Sequence, residues 1–217
     1  MGRYNSITRT VIRDIYNVLK VRYGIIDTDC YNELNIEVGD YEDEKSGLEF
    51  YVTLQLEIDS DKYEDNILID GCVFTEEEYF PTMILKIGLG HYSNLYLLSK
   101  LYPELRDIVR HEIEHLTQRG INRKEGKYVR GNNKIREKVS KDELPQYRYF
   151  ILKDEVTANI QGLYSKAKAL KEPFQIVIDK YLDNLVEREI IQKENRQRIY
   201  KTWKKRIPKI GGIPQLK

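Results

Sequence analysis

Cysteine is nearly absent from this chain: Cys30 and Cys72 are the only two in 217 residues. Two thiols build no disulfide framework, and we expect a reducing, cytoplasmic setting. No apolar run has the length a membrane-spanning helix needs, so no membrane partner is expected. A signal peptide is not legible either. Arg3 and Arg9 precede Val11-Ile12-Arg13-Asp14-Ile15, where charges break the apolar stretch. Histidine is scarce, at three residues, and the net charge is only +1.

What is present suits one globular domain with appendages: 41% of residues are hydrophobic and 33% are charged. The small net charge hides an asymmetry. Asp29 to Asp65 holds thirteen acidic residues and only two basic ones, Lys45 and Lys62. Lys193 to Lys209 holds eight basic residues and one acidic one, Glu194. Such a division suits a contact surface for nucleic acid or an acidic partner; it equally suits two ends that attract each other or are simply solvated.

Periodicity divides the chain. Ile7, Val11, Ile15, Val18 and Leu19 recur at helical spacing after Ser6, predicting a helix over about 6–22 that Gly24 ends. A β-rich half follows. Leu34, Ile36 and Val38 alternate with polar residues, and Leu48, Phe50, Val52, Leu54, Leu56 and Ile58 do so over eleven positions. A turn at 43–47 joins them. Ile67 to Phe74 reads as a strand bulged at Gly71, and Met83 to Leu89 as another. Hairpin logic makes this an antiparallel sheet of about four strands.

Beyond Ser93 the period becomes helical. Leu95, Leu98 and Leu101 predict a short helix, and Pro103 suits the first turn of the next, which Gly120 stops. Residues 120–146 are polar and basic and read as a long loop, a candidate lid. Helical blocks follow over about 152–170, after Pro173, and through the basic stretch that ends before Pro208. We assign 1–170 to the main domain, 171–207 to a helical C-terminal extension packed on it, and 208–217 to a loose tail.

Two of the three histidines fall in His111-Glu112-Ile113-Glu114-His115, an HExxH pattern. Positions i and i+4 of a helix share a face, so both imidazoles can reach one zinc ion. Glu112 can then serve a metal-bound water as general base. Helical phase supports this. Glu112 lies in the apolar stripe of Leu105, Ile108, Val109 and Leu116, whereas Glu114 falls on the opposite face. A buried carboxylate without a partner is costly, and a metal ion with its water would supply one.

A catalytic zinc needs a third protein ligand. The best source is Asp154-Glu155-Val156-Thr157-Ala158-Asn159-Ile160-Gln161-Gly162. Glu155 shares a helix face with Ala158 and Gly162, small residues that permit close approach to the HExxH helix. Asn159, on the same side, could orient a ligand histidine. Asp154 is the neighbouring alternative. Tyr147, Tyr149 and His91 are the candidate donors for an oxyanion.

An HExxH followed by a helix bearing Glu resembles the gluzincin branch of zinc metallopeptidases. The Glu-x-x-Ala-Asn form, from Glu155 to Asn159, is also similar to the ImmA/IrrE-type metalloproteases. The resemblance covers about residues 80–170. It implies a zincin-like α+β fold with an active-site helix pair, zinc on His111, His115 and Glu155, Glu112 as base, and a protein or peptide substrate. In that group the strand before the helices binds substrate as an added strand, a role that would fall to Met83–Leu89. The gap from His115 to Glu155 is longer than those families commonly show.

Two other readings compete. Peptide deformylases also use HExxH with a cysteine ligand, and Asp70-Gly71-Cys72-Val73-Phe74 resembles their Glu-Gly-Cys-Leu-Ser in kind and distance. Their glycine-rich N-terminal motif is missing here, Glu114 stands where they carry Asp, and about a hundred residues follow the helix. The other reading is a non-enzymatic protein on a zincin-like fold. Its basic C-terminal helix would contact nucleic acid, with Tyr200 and Trp203 among Lys201, Lys204, Lys205 and Arg206. Ile199 and Trp203, at i and i+4, could instead pack onto the domain.

Overall fold

The computed structural model describes residues 4–23, 33–44, 47–64, 66–74, 80–90, 101–118 and 127–216. The expected short helix at Leu95 and Leu98 and the stops at Gly24 and Gly120 lie outside them. An α-helix, α1 (Asn5–Tyr23), leads into strands β1 (Glu33–Asp43) and β2 (Leu48–Ile58). A one-turn helix, α2 (Ser60–Tyr63), precedes β3 (Ile67–Phe74) and β4 (Thr82–Leu89). Then come α3 (Tyr102–Gln118), α4 (Lys127–Ser140), α5 (Tyr147–Phe150), α6 (Lys153–Leu170), α7 (Phe174–Glu187) and α8 (Lys193–Arg206).

The fold is α+β, but the sheet is mixed rather than antiparallel. Its order is β1-β2-β4-β3, with β2 and β4 parallel and the two outer pairs antiparallel. Hairpin logic fails because β4 inserts between its two predecessors. Side chains explain the choice. On β4, Met83, Leu85, Ile87 and Leu89 are fully buried, the pattern of an interior strand. On β3, partly buried and exposed residues alternate throughout, which suits an edge.

The predicted bulge at Gly71 is absent, since β3 holds an unbroken register with β4. The irregularity lies in β1, between Glu37 and Gly39. Gly39 takes φ of 146°, an angle that residues with a side chain rarely adopt.

Two apolar cores result. The first lies between the sheet and helices α1 and α3, with Val11, Ile12, Ile15, Phe50, Leu54 and Val109 at its centre. The second joins α5 to α8, around Ile160, Leu163, Ile178, Leu182, Ile199 and Trp203. The side of α6 bearing Val156, Ile160 and Leu163 belongs to the second core, so the expected boundary at residue 170 cuts through a packed unit. The tail is not loose: Ile210 and Leu216 are buried in this core. Among the described residues no helix is long and apolar enough to cross a membrane.

The expected loop over 120–146 contains helix α4 instead. Its signal is weak in sequence. Ile135 and Val139, at i and i+4, lie among cations after Gly131.

Candidate metal centre

Helices α3 and α6 run antiparallel in close contact. Glu104 accepts from Lys166 Nζ at 2.6 Å, Arg106 Nε donates to Ser165 Oγ at 3.0 Å, and Gln118 Nε2 donates to the Asp154 carbonyl at 3.2 Å. Gly162 permits the approach midway. A Cβ there would stand 2.8 Å from the Asp107 carbonyl oxygen and 3.3 Å from the His111 Cβ.

This approach brings His111, His115 and Glu155 together as a group able to hold a metal ion. The Nε2 atoms of the two histidines are 3.0 Å apart. Glu155 Oε2 lies 3.3 Å from His115 Nε2 and 3.6 Å from His111 Nε2. Three donors held around a tetrahedral ion at about 2.0–2.1 Å would stand about 3.3 Å from one another, so the spacing fits. Glu155 is 1% exposed, and its Oε2 is buried with no hydrogen-bond partner. An orphaned carboxylate oxygen facing two imidazoles is the arrangement a cation would satisfy.

Charge at the group is shaped by burial. Burial works against the Glu155 charge, yet the two imidazoles it faces, His111 and His115, hold its carboxyl well below the usual range. Burial raises the Glu112 carboxyl, which the two histidines oppose. Burial would lower His111, but Glu155, Glu112 and Asp107 outweigh it and raise the ring. Asp107, one turn before His111, is pushed up to about 7 by burial.

Glu112 is buried, with Oε1 3.9 Å from His111 Nε2. Its stem passes beneath β3, where a Cβ on Gly71 would lie 2.9 Å from Glu112 Cγ. Glu114 lies on the side of α3 away from Glu112. It is mostly covered and accepts from Arg110 Nη2 at 2.9 Å, while the Arg110 guanidinium lies 5.5 Å from the Tyr4 ring.

Sequence reasoning missed Arg136. From α4 its guanidinium bridges Asp154 and Glu155; Nη2 contacts both carboxylates and Nε lies 3.2 Å from Glu155 Oε1. Asn132 Nδ2 donates to Asp154 Oδ1 at 2.7 Å. Asp154 is therefore engaged away from the histidines, and Arg136 leaves only Oε2 of Glu155 directed at them.

Asn159 does not orient a histidine. Its Nδ2 donates to the Glu155 carbonyl at 2.8 Å, and its Oδ1 accepts from Tyr181 at 3.3 Å. The Nδ1 of His115 is buried without a partner. Of the three oxyanion candidates, Tyr149 faces the group: burial, and then the charge of Glu155, push its phenol up. Tyr147 is engaged elsewhere, its hydroxyl accepting from Arg198 at 2.9 Å. His91 lies outside the described residues.

Cys72 is not part of the donor group. Side chains alternate along a strand, and the preceding Gly71 faces α3, so Cys72 points to the opposite, exposed face. Met83–Leu89, expected to bind a substrate by its backbone, is β4, which already pairs on both sides. The edge beside Glu112 is β3. Comparison of the chain with family models, curated proteins and solved structures finds no match.

Proposed function

We propose that this protein is a zinc-dependent hydrolase of peptide bonds, in the manner of the HExxH metallopeptidases. The observation that carries the reading is the convergence of His111, His115 and the orphaned Glu155 oxygen next to buried Glu112. A zinc ion held by these three ligands would supply an acidified water and a polarised carbonyl.

The chain's own residues supply the rest. Glu112, whose proton affinity burial raises, takes the proton from the attacking water and returns it to the leaving amine. Tyr149, kept protonated by burial and by Glu155, offers a hydroxyl to the oxygen that becomes anionic. Arg136 holds Glu155 from behind, which keeps one oxygen pointed at the histidines. The outer side of β3, the edge strand beside Glu112 among the described residues, suits an extended peptide that adds as a further strand.

The test is zinc content and hydrolysis of a mixed fluorogenic peptide library by wild type and Glu112→Gln. Wild type should hold about one zinc per chain. Glu112→Gln should keep the metal and lose at least about a hundredfold in rate. Equal rates in the two proteins would refute the reading.

A further inference from the structure

The basic C-terminal helix carries no stacking platform. Trp203 is fully buried, its Nε1 donating to the Phe150 carbonyl at 2.8 Å, and Ile199 is buried beside it. Tyr200 is partly buried, and its hydroxyl donates to Gln175 at 3.1 Å. The packing reading of Ile199 and Trp203 is therefore the one the structure shows, and any stacking on bases from this helix is removed.

Arg196 pairs with Asp179 and Asp183, but the lysines further along the helix keep their charge. Among the described residues Lys201, Lys204, Lys205 and Lys209 make no ion pair, and no ion pair joins α8 to the acidic strands β1 and β2. Among the described residues the two oppositely charged segments therefore do not neutralise each other. Instead, α8 packs on α5, α6 and α7.

Where α8 meets the start of α6, Lys153, Lys205, Arg206 and Lys209 surround a cavity of about 210 Å³, with the Thr202 hydroxyl at its wall. Among the described residues no carboxylate lines it. Arg206 is set in place by its Nε, which donates to Thr157 Oγ1 at 3.3 Å. One turn before Thr202 on the same face, Arg198 lies 5.0 Å from the Tyr147 ring, whose other neighbour is Arg148 at 5.3 Å. From Arg198 to Lys205 the face spans about 10 Å.

We infer that this face of α8, with the cavity at its end, binds the phosphate backbone of duplex nucleic acid without reading its sequence. Each strand of a duplex carries a phosphate about every 3.4 Å of axis, so the face meets roughly three to four. The buried aromatics argue against single strands, which need rings to stack on. Burial of Ile199 and Trp203 argues against a lipid surface, since α8 keeps no apolar residue to insert. The inference is independent of the metal centre.

The experiment is fluorescence anisotropy of a labelled mixed-sequence DNA duplex of about 20 base pairs, titrated with the full chain. Four cations on phosphates predict a log affinity against log salt slope of about −3 to −4, near 0.9 per contact. Between about 50 and 200 mM salt the affinity then falls about a hundredfold. The double variant Lys205→Glu, Lys209→Glu should lose at least about tenfold at the lower salt. Both side chains are exposed and unpaired, so folding should persist, and circular dichroism checks it. Lys205→Gln alone should reduce the slope by about one. Lys20→Gln, on α1, should change nothing. Absence of duplex binding at low salt would overturn the inference. So would equal sensitivity to Lys20→Gln, or equal affinity for polyglutamate or anionic vesicles.

Discussion

Replacing Gly162 by Ala tests the helix contact on which the donor group depends. In an ordinary helix interior the change stabilises, because Ala is better than Gly by about 1 kcal/mol. Here the new Cβ would stand 2.8 Å from the Asp107 carbonyl oxygen, which belongs to the backbone of α3 and cannot rotate away. Ordinary contact needs roughly 3.4 Å or more, so α6 must retreat by about 0.6 Å. Overpacking of this kind costs about 1–3 kcal/mol, which exceeds the propensity gain. We expect a net loss of about 1 kcal/mol, read as a melting temperature lower by about 2–4 °C. The metal should report the shift more strongly. Glu155 lies two turns away on the same face, and a retreat of about 0.6 Å exceeds the roughly 0.2 Å tolerance of a metal bond. Zinc affinity, measured by competition with a chromophoric chelator, should fall about ten- to a hundredfold, as when a ligand loses its support. A variant that melts higher than wild type and binds zinc equally well would refute the argument for close approach.

Four further outcomes are expected. Arg136→Ala removes the guanidinium from the buried Glu155 carboxylate and leaves it only the two imidazoles, so the metal-free protein should lose about 3–5 kcal/mol, part of which saturating zinc restores; unchanged metal-free melting would contradict this. Trp203→Ala should cost about 3–5 kcal/mol in chemical denaturation. Trp203→Phe should cost about 1–3 kcal/mol, because the Phe150 carbonyl loses its donor; a neutral Phe variant would mean that carbonyl is satisfied otherwise. Cys72→Ser should leave zinc content unchanged, and a loss would return the third ligand to that thiol.

Much of this was legible because it is local. A period of two over Leu48–Ile58 marks a strand whatever surrounds it, and β2 has those bounds. The i, i+4 spacing of His111 and His115 puts both rings on one face by helix geometry alone. Glu155, Ala158 and Gly162 announced a face able to approach another helix, and Glu112 stood out as a carboxylate in an apolar stripe.

Strand order was not legible, because alternation says which face is buried and not which strand lies alongside. The partner of β2 was decided by the full burial of β4, which only the packed sheet displays. Direction within a helix face was equally hidden. Asn159 shares a side with Glu155, yet hydrogen-bonds the local backbone and Tyr181 instead of a histidine.

The sequence by itself therefore determined the strands, helices α1, α3, α6, α7 and α8, and the residue types gathered at the candidate centre, since each follows from periods of two or 3.6 residues. Tertiary structure decided the rest. It set β3 at the edge beside Glu112, turned Cys72 outward, and closed α4 over the start of α6 so that Arg136 meets Glu155. Those outcomes depend on contacts between residues far apart in the chain, and no local period encodes them.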